Sequence, residues 1–166
     1  MPDDPVPVNA VVIERDFDAP RRLIWQLWTQ PEHLKAWYGP DSATVTVADM
    51  DVRVGGTRLV CMEIETPGGP MRMWFGGEYR EVIENELLVY TDVRCDETGV
   101  PLPTADLPEG HPTITEVTVA LADLGRRTRM VMTHAGIPAD SPGAAGWTMA
   151  LDKLAAAAVH ARQGEL

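Results

Sequence analysis

The helical patterns of this 166-residue chain lie at its two ends, and the long middle part has the pattern of β-strands. Two short helices are predicted at Pro20–Thr29 and Pro31–Tyr38, and one long helix is predicted from Ala145 to about Arg162. An antiparallel sheet has to cover one apolar face, and the last helix is the only large element available for that role. The order of the elements therefore predicts an α+β fold, with a curved antiparallel sheet around the C-terminal helix and a gap between the two.

Runs with strand character, separated by turn residues, indicate a sheet built from consecutive antiparallel strands. The strands are predicted at Ala10–Phe17, Thr44–Val47, Thr57–Glu65, Met71–Tyr79, Leu87–Arg94, Thr113–Leu124 and Arg127–His134. The pair Gly76-Gly77 predicts a bulge or sharp bend within its strand. Residues 1–9 are expected to form a flexible tail, residues 10–163 a single domain, and residues 95–112 a long loop.

Composition excludes several classes of partner. The net charge of −11 argues against binding to nucleic acid or to an anionic membrane surface. No signal peptide and no apolar run long enough to cross a bilayer is found, so a cytoplasmic location is expected. Cys61 and Cys95 lie in no metal-binding spacing, so no metal and no cofactor is predicted.

The chain offers few residues for catalysis. Ser42 and Ser141 lie outside any nucleophile motif, and the glycine pairs do not form a phosphate-binding loop. His134 shares one strand face with Met130 and Met132, which would place it at the edge of an apolar space. The favoured interpretation is a hydrogen-bonded histidine in the core or at its rim, and the alternative is contact with a ligand or proton transfer.

Five tryptophans and eight methionines are the notable enrichment, because aromatic and methionine side chains line sites for apolar small molecules. Core packing is the simpler interpretation for any one of them, but a sheet that grips a helix favours a pocket for the set. The predicted cavity residues are Trp28, Trp37, Met62, Trp74, Tyr90, Met132, His134 and Trp147.

Five blocks, at residues 15–40, 49–59, 76–91, 128–138 and 146–156, resemble successive blocks of one family. It comprises the homologues of the heat-shock-protein-90 ATPase activator, within the START-like (SRPBCC) superfamily. The resemblance implies a helix-grip fold with a deep cavity and supplies no shared catalytic set. It implies structural roles for Arg53, Gly55, Gly56 and Gly77, and the residues themselves favour an ion pair that anchors a turn for Arg53.

The function expected from these observations is binding of a small hydrophobic molecule that is lipid-like, aromatic or polyketide-like. Tyr90 or His134 would orient one polar group of the ligand. One alternative is an enzyme of the cyclase or dehydratase type, with His134 as general base. The other is a module that interacts with a chaperone, although the separate chaperone-binding domain of the eukaryotic activator is not found in the sequence. A homodimer is left open.

Overall fold

The structure of the chain is a computed structural model that describes residues 9–107 and 112–164. Apart from Asn9, the predicted tail lies outside the described residues, and so does His111 of the predicted loop.

In the described part of the chain, seven strands form one antiparallel sheet, and three α-helices accompany it. The strands are β1 (Ala10–Phe17), β2 (Ala43–Met50), β3 (Thr57–Thr66), β4 (Gly69–Ile83), β5 (Leu87–Cys95), β6 (Thr115–Asp123) and β7 (Thr128–Ala135). The helices are α1 (Arg21–Thr29), α2 (Pro31–Leu34) and α3 (Pro142–Gly164), and a 3₁₀ turn covers Thr104–Asp106. The spatial order of the strands is β1-β7-β6-β5-β4-β3-β2. From β2 to β7 each strand pairs with the next one in sequence, whereas β1 pairs with β7. The predicted α+β helix-grip fold is confirmed.

An apolar stripe of α3 is buried against the rest of the domain. Leu151, Leu154 and Ala158 have no exposed surface, and they join Met130 and Met132 of β7 in one core. The side chains that follow the helical period thus face the sheet, because a helix can bury only one stripe. None of the helices in the described part of the chain is long and apolar enough to span a bilayer.

The end of α2 and the start of α3 differ from the predicted bounds. α2 ends at Leu34, and turns lead on to Tyr38. α3 starts at Pro142 rather than Ala145, since Ser141 Oγ accepts a hydrogen bond from the Ala144 backbone N–H at 3.3 Å. Serine before a proline at the first helical position is a favourable start signal for a helix.

The irregularity in β4 lies beyond the glycine pair that was predicted to cause it. The register between β4 and β5 shifts between Tyr79 and Glu81, whereas Gly76 and Tyr79 pair in one continuous register. A Cβ atom at Gly77 would collide with the carbonyl oxygen of Thr91. Gly77 therefore permits a close approach of two backbones, and the predicted bulge is displaced to the position after Tyr79.

Candidate functional site

A cavity of about 520 Å³ lies between the inner face of the sheet and the first half of α3. α3 lines it from Pro142 to Ala150, whereas the later residues Leu151 and Leu154 are fully buried. The helix therefore closes tightly onto the sheet in its second half and leaves space in its first half. The volume lies within the range of roughly 300–1,000 Å³ that is typical of small-molecule sites.

Most of the cavity wall is apolar. The sheet contributes side chains that share one face of β3 and β4, namely Met62, Ile64, Met73 and Phe75. The opposite wall comes from Pro40 and Ile137 and from the helix residues Trp147, Met149 and Ala150. Met149 is 39% exposed, so this side of the cavity reaches the surface.

The polar groups of the cavity are concentrated on the central strands. Asp92 and Arg94 of β5 line it together with Thr115 of β6 and His134 of β7. β5 places every second side chain on the inner face, so Asp92 and Arg94 follow Tyr90 there. The result is an apolar space with a polar strip along one side.

His134 is held on both sides of its ring. The indole N–H of Trp147 donates to Nδ1 at 2.9 Å, and Nε2 lies 2.7 Å from Thr115 Oγ. Because an indole can only donate, Nδ1 is the acceptor and the neutral ring carries its proton on Nε2. The Thr115 hydroxyl then accepts from Nε2 and donates to the Asp92 carbonyl oxygen at 3.1 Å.

This chain of hydrogen bonds ties α3 to three strands and shapes one end of the cavity. It also limits the chemistry of His134, since the Nδ1 lone pair that a general base would use is occupied by Trp147. The carboxylate oxygen Asp92 Oδ2 lies 3.8 Å from Nε2, beyond hydrogen-bond distance. The arrangement therefore suits a positioning role for His134.

A buried cation lies beneath the cavity. Arg58 is 3% exposed, and its guanidinium carbon lies 4.0 Å from the ring centre of Tyr90 and 5.6 Å from that of Tyr38. The two phenol oxygens are 3.2 Å apart, and Tyr38 lines the cavity. Burial raises the pKa of Tyr38 and raises that of Tyr90 further, so both remain neutral donors near pH 7. The Asp92 carboxylate interacts electrostatically with Arg58.

Three of the predicted cavity residues, Met62, His134 and Trp147, line the cavity. The remaining five do not, and four of them are fully buried behind its wall: Trp28, Trp37, Tyr90 and Met132. Trp28 stacks on Trp147 with ring centres 6.0 Å apart, and thus supports the wall from behind. Trp74 alternates with Met73 and Phe75 along β4, so its side chain lies on the opposite face of the sheet.

Three of the residues with predicted structural roles, Arg53, Gly55 and Gly56, lie away from the cavity at the turn between β2 and β3, and the fourth, Gly77, lies in β4. Arg53 Nε is 2.8 Å from Asp51 Oδ2, and both side chains are largely exposed. Gly55 has φ +83°, and its N–H donates to the carbonyl oxygen of Tyr79 at 2.8 Å. Gly56 follows it, where a Cβ atom would meet the carbonyl oxygen of Asp51.

Sequence reasoning missed Tyr38, Arg58, Asp92, Arg94 and Thr115. A usable signal existed for Arg58, because it precedes Val60 and Met62 on the apolar face of β3, where a charge is unexpected. Within the described residues, no group of three potential metal ligands is found, and the two cysteines are free and buried.

The fold has many solved relatives. A protein from Chromobacterium violaceum is 27% identical, with a TM-score of 0.74 over 90% of this chain and 96% of that chain. A Mycobacterium smegmatis protein is 25% identical, with a TM-score of 0.64 over 91% of this chain and 86% of that one. The AHSA1 protein of Silicibacter pomeroyi, at 20% identity, has a TM-score of 0.68 over 89% and 95% and shows the fold alone.

Among the curated proteins none matches the chain significantly. Residues 18–158 match the family model described as "Activator of Hsp90 ATPase homolog 1-like protein". This match spans most of the domain and confirms the resemblance found in the sequence. The chain belongs to the family of proteins like activator of Hsp90 ATPase homolog 1.

Proposed function

We propose that the protein binds a small hydrophobic molecule in the cavity between the sheet and the first half of α3. The observation that supports this most directly is an apolar space of about 520 Å³ with a polar strip on one side. Removing each 100 Å² of apolar ligand surface from water contributes roughly 2.5 kcal/mol before the costs of association. The apolar walls therefore supply most of the affinity, and the polar strip orients the ligand.

Binding is favoured over catalysis by the state of His134. Both of its ring nitrogens lie in hydrogen bonds to side chains that are themselves buried, Trp147 and Thr115. A cyclase or dehydratase would require a base that can accept a proton from the substrate. Interaction with a chaperone, dimer formation and a cytoplasmic location remain predictions.

The test is displacement of a fluorescent probe. N-phenyl-1-naphthylamine is expected to gain fluorescence with the wild-type protein and to lose it when an apolar competitor is added. Gly146→Leu adds a side chain at a half-buried position of the cavity wall, where an added Cβ meets only Pro40 Cβ, at 4.0 Å. Since leucine favours the helix over glycine, this variant is expected to fold and to bind the probe at least tenfold more weakly.

Ala156→Leu is the matched control, because Ala156 is exposed on the same helix and does not line the cavity. It is expected to bind the probe as the wild-type protein does. Folded wild-type protein that does not bind the probe, or a Gly146→Leu variant with unchanged affinity, would contradict the proposed function. A native mass spectrum of the purified protein would identify a molecule that remains bound.

A further inference from the structure

Arg94 and Arg58 differ from the other arginines of the sheet, and Arg94 is the one of these two that lines the cavity. The other four form ion pairs with carboxylates near the protein surface: Arg15, Arg72, Arg80 and Arg129. Arg58 packs on two tyrosine rings. Arg94 forms no ion pair with any carboxylate in the described residues, and its buried Nε has no hydrogen-bond partner among them.

The position of Arg94 makes this unpaired cation relevant to a ligand. Arg94 lines the cavity, and its guanidinium carbon lies 5.4 Å from the ring centre of Phe75, which also lines it. A charged group beside apolar walls is costly unless a partner of opposite charge is present. Asp92 is the carboxylate of the cavity wall, and it faces His134, with Oδ2 3.8 Å from Nε2.

A second source of positive potential lies at the same cavity. Pro142 and Gly143 begin α3, a helix of 23 residues, and both line the cavity. The N-terminus of a helix carries a partial positive charge that favours an anion. Although the whole protein has a net charge of −11, this part of the cavity thus favours a negative group.

We propose, on the basis of the proposed function, that Arg94 anchors a carboxylate and that the ligand is an amphiphile with one carboxylate group. The planar guanidinium matches a carboxylate in a bidentate pair, and one such group balances one arginine. The apolar body of the ligand then lies against Met62, Met73 and Trp147, which line the same cavity. Arg94 sets the preference for the anionic group, and the apolar walls provide the remaining affinity.

The experiment compares decanoate with 1-decanol as competitors of N-phenyl-1-naphthylamine at pH 8, where the acid is ionised. Wild-type protein is expected to bind decanoate about tenfold more tightly than decanol, as one charge-assisted hydrogen-bonded pair allows. Arg94→Met keeps much of the apolar stem and removes the charge. It is expected to lose that preference while decanol binding stays within about twofold.

Two further variants separate the anchor from general charge effects. Arg94→Lys keeps the charge without the bidentate geometry and is expected to retain part of the preference. Arg80→Met removes an arginine that lies 3.9 Å from Glu116 and does not line the cavity, and it is expected to leave both affinities unchanged.

The outcomes distinguish this inference from the proposed function. Equal binding of decanoate and decanol by the wild-type protein would overturn the carboxylate anchor and leave apolar binding intact. The same holds if the probe binds but neither competitor displaces it, or if Arg94→Met keeps the preference. If the probe itself does not bind to folded protein, the proposed function fails and the anchor with it. If Arg94→Met does not fold, the carboxylate anchor is tested by the preference of the wild-type protein for decanoate over decanol and by the partial preference expected of Arg94→Lys.

Discussion

Replacing Thr115 by valine tests the hydrogen-bond chain that joins α3 to the sheet. The hydroxyl is 2.7 Å from His134 Nε2 and 3.1 Å from the Asp92 carbonyl oxygen, and Thr115 is 4% exposed. A methyl group of similar size would face both groups and satisfy neither. A net hydrogen bond contributes about 0.5–1.5 kcal/mol and an unsatisfied buried group costs about 1–3, so Thr115→Val is expected to lose about 2–3 kcal/mol. For a domain of this length, the midpoint of thermal unfolding would fall by about 5–10 °C.

The assay is urea unfolding followed by tryptophan fluorescence, with the slope m expected to stay unchanged. Thr118→Val is the matched control, because Thr118 lies on the same strand and makes no side-chain hydrogen bond to the described residues. It is expected to change the free energy of unfolding by less than about 0.5 kcal/mol. A Thr115→Val variant as stable as this control would refute the inferred chain of hydrogen bonds.

Two further predictions concern β4 and β5. Gly77→Ala is expected to lose about 1–3 kcal/mol in urea unfolding, because its Cβ atom would collide with the Thr91 carbonyl oxygen. Gly68→Ala serves as the control, since its added Cβ meets only Thr66 Oγ at 3.9 Å, and equal losses for both would contradict this explanation. Burial, with help from the carboxylates of Asp96 and Asp92, raises the pKa of the Cys95 thiol to about 11. At pH 8 the thiol is therefore protonated and is expected to react with a disulfide reagent only slowly until the protein is unfolded; reaction of native Cys95 at the rate of a free cysteine would contradict this.

Local patterns were sufficient to predict the elements of the fold. The strand face that carries Met130, Met132 and His134 follows from a period of two residues, and the buried stripe of α3 follows from a period of 3.6. These periods depend on nearest neighbours along the chain, so they hold wherever the element lies. The end of α2 at Leu34 was harder to predict, since Trp37 and Tyr38 are buried by tertiary packing and not by a continued helix.

The two-residue period of a strand was sufficient to predict two further residues of the site. Asp92 and Arg94 follow Tyr90 at alternate positions of β5, so the inclusion of Tyr90 in the predicted cavity implied that they share its face. The aromatic side chains of α1 and of the turns that follow α2 were harder to place. Trp28 and Trp37 are buried because α1 and α2 pack behind Trp147, and no local pattern shows which of two buried aromatics lines a cavity.

The sequence by itself determined the order of the elements, the inward face of β7 and the family. Only the tertiary structure decided where a cavity remains between α3 and the sheet. The position of the cavity depends on side chains of β3, β4 and α3 that are far apart along the chain. The tertiary structure also decided that His134 is held by Trp147 and Thr115 while Arg94 has no carboxylate partner among the described residues. Hydrogen bonds and ion pairs require donor and acceptor atoms about 3 Å apart, and the alternation of residues along one strand cannot specify that distance between separate elements.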